Sequence, residues 1–412
     1  MRPIPAAAAA LAAAAFATPA PAQESAAPWS AVWTASPQAV WRDETIFPTG
    51  LPARIAGATI RQPLTLGYPA DRLRLLLSNA HGVRPLPIEA ATLARSVGGA
   101  TVEDPQPVRF GGETRVTIAP GAQALSDPLP FPAEAGTRVA ATLTYGPGAV
   151  AEDFHWDARE TGYVIEADRP DPVVLAETPA RVTLSAVFSD RPARAGVIAM
   201  GDSLTDGNGA PMDAMARWPD FLARAMAPQG IAVVNAGISG GRLLSDGMGR
   251  SVLARLERDV LASPGADTLV LLIGTNDIAW PGTIFAPDEA PMTLARLQAG
   301  LLQAAARVRA AGLRLIVGTA PPFRGALPGT PLEGAYWSPA KDALRRELNA
   351  WLRAATFHDG LADFDRALSD PADDARLNPL HDSGDHLHPS PEGNRAMARV
   401  VEALLTEAPD PR

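Results

Sequence analysis

The sequence predicts an α/β domain built on a parallel five-stranded sheet, preceded by an all-β domain of the sandwich or jelly-roll kind. Three observations carry that expectation. From residue 196 onward, short and nearly continuous apolar runs alternate with stretches of helical apolar spacing, the pattern of parallel strands covered on both faces. From Trp29 to about residue 188 the runs are short and strand-like, recur at intervals of roughly ten residues, are separated by Pro and Gly turn signals and contain no convincing helix. Between the two halves, "SDRPARA" at 189–195 reads as a linker.

Taken in chain order, residues 1–22 carry one Arg, a long Ala-rich apolar run and a closing Ala20-Pro21-Ala22. That is the pattern of a secretory signal peptide. Pro19 and Pro21 cut the run short of the roughly 20 residues a membrane span needs, so the expectation is export to the periplasm or the medium, with no span. In the β domain, 29–188, "DRLRLLLSN" sets Leu73, Leu75 and Leu77 against Arg72, Arg74 and Leu76, the period of a half-buried strand. "TRVTIAPGAQALSDPL" and "TRVAATLTYGPG" read as further strands. In the α/β domain, 196–406, strands are expected at 196–200, 231–236, 268–274, 313–319 and, more weakly, 361–364. Helices are expected around Trp218 to Met226, Val252 to Leu261, Met292 to Ala311, and over "PEGNRAMARVVEALL" near the end.

Composition excludes several function classes. There is no cysteine, hence no disulfide framework and no thiolate metal site. A formal charge of −9, with Lys341 the only lysine, does not suit a nucleic-acid partner. No G-x-G-x-x-G follows a strand, so no dinucleotide is expected. "DSLTDGNG" lacks the alternating acids of a calcium loop, and no His pair has zinc spacing. No metal or other cofactor is predicted.

Four polar clusters stand out, three of them where a parallel sheet binds its ligands, outside the carboxyl ends of its strands. They are Gly201-Asp202-Ser203 after the first strand, "NAGISGGR" after the second, Gly274-Thr275-Asn276-Asp277 after the third, and "GDHLHPSPEGN" near the C-terminus, where Asp385 and His388 stand three residues apart. A serine becomes nucleophilic when a base takes its proton, and imidazole titrates near working pH. The imidazole needs a carboxylate to fix its tautomer and stabilise its charged form. An oxyanion needs N–H donors, which Gly backbone and an Asn side chain supply. All of these residue types are present.

In "GDSLTDG", "NAGISGG", "GTND" and "DHLHP", in that order over roughly residues 195–405, the chain resembles the GDSL or SGNH hydrolases. The resemblance implies a flavodoxin-like, three-layer α/β/α domain acting as a serine esterase. Carried over residue by residue, it makes Ser203 the nucleophile, His388 the base and Asp385 its orienting acid. The oxyanion hole would be the Ser203 and Gly240 N–H groups with the Asn276 side chain. The β domain, with "TIRQPLTLGYPADRLRLLLSNAHG" and "GAQALSDPL", together with "MARWPDFLARAM" after Ser203, is similar to a secreted bacterial branch near xylan-linked arylesterases and acetylxylan esterases. The expected partner is therefore an acylated small molecule or polysaccharide carrying short acyl groups, O-acetyl first. A lipid-directed esterase or lysophospholipase, or an acyltransferase, would use the same triad.

Several decoys share the sequence. "GISGG" fits G-x-S-x-G, which makes Ser239 the alternative nucleophile, although that fold draws its acid and base from separate loops. His386 competes with His388 but adjoins Asp385 too closely. Asp206 and Asp277 are expected to bond within their own turns. Trp280, Phe323 and Trp337, on long loops after the third and fourth strands, and His155, in the β domain, are the expected substrate contacts.

Overall fold

Alternation at period two, with both faces apolar, is what buries a strand on two sides. The strand Ala195–Gly201 shows it: Val197 and Ala199 face one core, Ile198 and Met200 the other. In the computed structural model, which describes residues 29–41 and 47–407, this strand is the second of five in a parallel sheet. The order is Ile231–Gly237, Ala195–Gly201, Thr268–Leu272, Arg314–Gly318, Gly360–Ala362. All five expected strands are present, within two residues at most ends. The expected signal segment at 1–22 lies outside the described residues.

The sheet order, 2-1-3-4-5 in chain terms, reverses between Ala195–Gly201 and Thr268–Leu272. Crossovers leave in opposite directions there and open a crevice at the strands' carboxyl ends. On one face Ile198, Met200, Leu269, Leu271 and Val317 pack against the helices Val252–Leu256, Leu294–Ala310 and Pro339–Ala354. On the other, Val197, Val270 and Ile316 meet Trp218–Met226 and Pro391–Thr406, with Trp218 wholly buried against Phe364. The helix Pro339–Ala354 is additional to the four expected. Its charged sequence pairs Arg345 and Arg346 with Asp342 and hides a narrow apolar seam of Leu348 and Leu352. Its start was legible: Ser338 accepts a hydrogen bond from Lys341 N and Pro339 follows.

Before the parallel sheet every described pairing is antiparallel, and among the described residues no helix precedes Ser203. One sheet is ordered Ser30–Thr34, Leu184–Ser189, Ala70–Ser78 and then Gln123–Leu125, with Leu129–Ala133 also on Ala70–Ser78. A second is ordered Val174–Thr178, Gly162–Ile165, Thr59–Thr65, Arg138–Tyr145, Leu86–Gly98, Thr101–Pro107, and a third, of three strands, is ordered Arg181–Val182, Asp153–His155, Gln38–Ala39. Leu73, Leu75 and Leu77 point inward as their alternation requires, onto Leu64, Leu93, Val139 and Leu143. The sandwich closes on itself because its first strand, Ser30–Thr34, pairs with its last, Leu184–Ser189.

That closure also joins the two halves. Strand Leu184–Ser189 takes in Ser189, and Ala195 already belongs to the parallel sheet, so the stretch read as a linker shrinks to 190–194. Ala31, Ala186 and Phe188 belong to the same core as the parallel sheet, and Thr34 Oγ1 donates to the Asn235 carbonyl at 2.7 Å. Among the described residues no helix is long and apolar enough to cross a membrane.

Candidate active site

The turn after Ala195–Gly201 is shaped by close approach. A Cβ on Gly201 would stand 2.4 Å from the Leu272 carbonyl oxygen of the neighbouring strand, so the backbone can pass there only as glycine. Asp202 then caps the short helix Ser203–Asp206, its Oδ1 accepting from Leu204 N at 3.0 Å. Ser203 is its first residue, and its N–H donates to no other described residue.

The last loop meets this turn. His388 Nδ1 lies 2.6 Å from Asp385 Oδ2 and His388 Nε2 lies 2.8 Å from Ser203 Oγ. A carboxylate only accepts, so Nδ1 carries the hydrogen and Nε2 offers its lone pair to the serine hydroxyl. Asp385 Oδ1 accepts from the Leu387 and His388 backbone N–H groups at 3.0 and 2.8 Å. Partial burial would lift the Asp385 carboxyl, but the bond and charge of His388, with these backbone donors, hold it well below the usual carboxylate range. Asp385 is thus a fixed anion. Ser203 and His388 are largely buried yet line the cleft. His386 instead pairs with Asp382 at 2.5 Å, on a left-handed backbone, φ 60°, and does not reach Ser203.

Two further loops supply donors. Gly240 has φ 68°, and its N–H bonds no other described residue. Asn276 is fixed from both ends: its Nδ2 donates to the Gly241 carbonyl at 3.0 Å, and its Oδ1 accepts from Tyr336 Oη at 2.6 Å. Burial pushes the Tyr336 phenol well above its ordinary range, so it stays a donor and locks the amide the right way round. One Nδ2 hydrogen remains for the cleft. Ser203, Gly240 and Asn276 all line one cleft of about 250 Å³, with His388 at its edge.

Asp206 and Asp277 do more than serve their own turns. Asp277 is buried and accepts from the Leu243 and Leu244 N–H groups at 2.8 and 3.2 Å. Burial pushes its carboxyl up to about 6 against those bonds. Asp206 accepts from the Ser239 N–H and Oγ–H at 2.8 and 2.7 Å. Ser239 therefore faces a carboxylate and the Asn208 amide oxygen, 2.7 Å away. Among the described residues no imidazole hydrogen-bonds to it.

The expected substrate contacts divide. Trp280 lines the cleft, stacked on Phe285 with ring centroids 4.5 Å apart. Phe323 does not: it is fully buried beneath the site, edge-on to Tyr336. Trp337 also faces away, under the Arg324 guanidinium. His155 is buried, its ring nitrogens 3.1 Å from the Ser36 carbonyl and 3.0 Å from Asp206 Oδ1. These three are corrected from contact to support, because loop aromatics and a lone His bury as readily as they project. Phe47, Trp156, Met248 and Leu332 complete the apolar wall. Trp156 adjoins the expected contact His155 in the chain, whereas Phe47, Met248 and Leu332 carried no signal in the sequence.

Residues 199–396 match the GDSL-like lipase/acylhydrolase family model, a span containing all five residues named above for the triad and the donors. Among solved structures, the chain is similar to a carbohydrate acetylesterase from Sinorhizobium meliloti, with 18% identity, 52% of this chain and 98% of that one covered, and TM-score 0.41. It is likewise similar to an acetylxylan esterase from Geobacillus stearothermophilus (20%, 53% and 98%, 0.38) and a GDSL-like lipase from Bacteroides thetaiotaomicron (19%, 51% and 87%, 0.38). No curated protein matches the chain. Residues 199–396 are thus a GDSL-like lipase/acylhydrolase domain, which supports a carboxylic ester hydrolase.

Proposed function

We propose that the protein is an exported serine esterase that removes short acyl groups, O-acetyl above all, from carbohydrate. The observation that carries the chemistry is the unbroken contact Ser203 Oγ to His388 Nε2 to Asp385, at 2.8 and 2.6 Å. In this reading Ser203 Oγ attacks the ester carbonyl carbon while His388 Nε2 takes its proton. The tetrahedral oxyanion is held by the Ser203 and Gly240 N–H groups and the free Asn276 Nδ2 hydrogen. His388 then protonates the departing alcohol oxygen, leaving an acyl-Ser203 ester. Water, deprotonated by the same nitrogen, releases the acid and restores Ser203.

The size of the cleft supports a short acyl group. At about 250 Å³ it lies below the roughly 300–1,000 Å³ usual for drug-sized ligands, and Leu332, Tyr336 and Met248 wall it. Phe285 and Trp156, only partly buried at the same cleft, offer apolar surface against which a sugar ring can pack. The test is a chain-length series of p-nitrophenyl esters together with acetate release from acetylated xylan. Acetate and butyrate should be cleaved far faster than esters beyond about eight carbons, since each unaccommodated methylene costs roughly 1–3 kcal/mol. A peak on long-chain esters, with no acetate from any glycan, would sink the proposal in favour of a lipid substrate. Export is tested separately, by whether the N-terminus of the protein recovered outside the cytoplasm begins after residue 22.

A further inference from the structure

The β-rich half grips the oxyanion loop from two sides. On one side His155, at the end of the strand Asp153–His155, reaches across into the hydrolase domain. Both of its ring nitrogens face groups that only accept, the Ser36 carbonyl at 3.1 Å and Asp206 Oδ1 at 3.0 Å, so both donate. The other Asp206 oxygen holds the N–H and hydroxyl of Ser239, the residue directly before Gly240. On the other side Gln38 Nε2 and Trp41 Nε1 each donate to the Met248 carbonyl at 2.8 Å. The Met248 side chain lies against Gly240 so closely that a Cβ there would overlap its sulfur. Gln38, His155, Asp206 and Ser239 are all buried. Gly240 is therefore flanked by two supports that originate outside the α/β domain.

We infer that His155 and Gln38 are positioning residues of the β-rich half, which set the Gly240 N–H at the oxyanion and so make that half part of the catalytic apparatus. The inference rests on the serine-esterase reading above. An oxyanion donor acts only when fixed where charge develops, and a displacement near 1 Å can cost about 100-fold. The two links brace one loop from opposite sides, so loss of either leaves Gly240 free to shift along a path the other does not block.

The experiment measures kcat and KM for p-nitrophenyl acetate in full-length H155Q, Q38A and the double variant, at a temperature where circular dichroism shows each folded. Each single variant should lose about tenfold or more in kcat with KM within roughly twofold, and the double variant should lose more than either. Inactivation by a phosphonate ester, whose adduct places an anionic oxygen in the same hole, should slow in parallel. A merely structural role would lower the melting temperature and leave the kcat of folded protein unchanged, and that result overturns the inference. If H155Q does not fold, Q38A and D206N decide by the same readout. S203A separates the two levels: activity surviving in it removes the serine-esterase reading itself, whereas a dead S203A beside a fully active H155Q removes only the role of the β-rich half.

Discussion

Two groupings of serine, histidine and aspartate stand around one cleft, and they differ in the order of contact. In the first, Ser203 touches His388 and Asp385 stands behind the imidazole. In the second, Ser239 touches Asp206 and His155 stands behind the carboxylate. The same three side chains therefore do opposite things. Burial alone would lift the Asp206 carboxyl, but the charge and bond of His155, with two bonds from Ser239, hold it below the ordinary range. An anion of that kind is too weak a base to take a hydroxyl proton; it holds Ser239 as a donor and fixes the loop. Imidazole in contact with serine is a base, whereas carboxylate in contact with serine is a brace. Residue type does not separate the two groupings, and order of contact does.

The largest effect should come from exchanging their serines. Ser203→Ala should lower kcat by roughly 10³ to 10⁶ with the melting temperature little changed. Ser239→Ala loses one hydroxyl but keeps its N–H on Asp206, and should cost less than about tenfold. Turnover of p-nitrophenyl acetate by the two variants checks this. The comparison breaks if Ser239→Ala is the dead one.

Next in size is the third member of the reactive set. Asp385→Asn keeps an oxygen near His388 Nδ1 but removes the anion that stabilises the imidazolium, and loss of up to roughly 10⁴ in kcat is expected from such a change. Because Asp385 is held far below the ordinary carboxylate range, it stays charged throughout the neutral range. The acid limb of the wild-type kcat/KM profile must then belong to another group. A wild-type profile whose only acid limb lies near the ordinary carboxylate value would show that Asp385 is not the fixed anion its contacts imply.

Both groupings were present in the sequence, but unequally legible. Ser203, His388 and Asp385 could be named because the short blocks that hold them resemble those of a known family, and the structure brings the three side chains into contact. The five strands were legible because burial on both faces leaves unbroken apolar runs. His155 was not placed correctly, because its partner Asp206 is 51 residues away and belongs to the other half of the chain. Phe323 and Trp337 looked like Trp280 for the same reason: an aromatic on a loop records that it will be covered, not by what. The helix Pro339–Ala354 went unanticipated because charge outweighs its apolar seam, although its cap was in view.

The donors give a third way to sharpen the contrast. In the proposed mechanism Asn276 serves the reactive grouping as Asp206 serves the brace, by holding a hydrogen in one direction. Asn276→Ala should cost roughly 10² to 10³ in kcat, the usual loss for one oxyanion donor. Tyr336→Phe, which leaves the amide in place but frees it to turn, should cost about tenfold with KM little changed. Equal losses in both would mean that Tyr336 does more than orient the amide.

The smallest effect on rate, and the most informative on stability, concerns Asp202. It adjoins Ser203, yet unlike Asp385 and Asp206 it is hydrogen-bonded to no imidazole among the described residues: one oxygen accepts from Leu204 N and the other is buried without a partner there. Burial pushes its carboxyl from 3.8 up to about 7. The folded protein therefore keeps this proton where the unfolded chain has already lost it. Between about pH 4 and 7 the folded state binds more protons, so the Asp202 contribution to stability falls as pH rises through that window and stays at its low value above it. Asp202→Asn keeps the cap and stays neutral at every pH. Its melting temperature should match wild type near pH 4.5, exceed it increasingly up to about pH 7 and by a steady margin above that, the gain reaching on the order of a few kcal/mol, while kcat changes little. Melting curves across that range decide the matter. A difference between the two proteins that is flat with pH would mean Asp202 is already charged when folded, and that a buried aspartate beside Ser203 can do without the imidazole its two counterparts have.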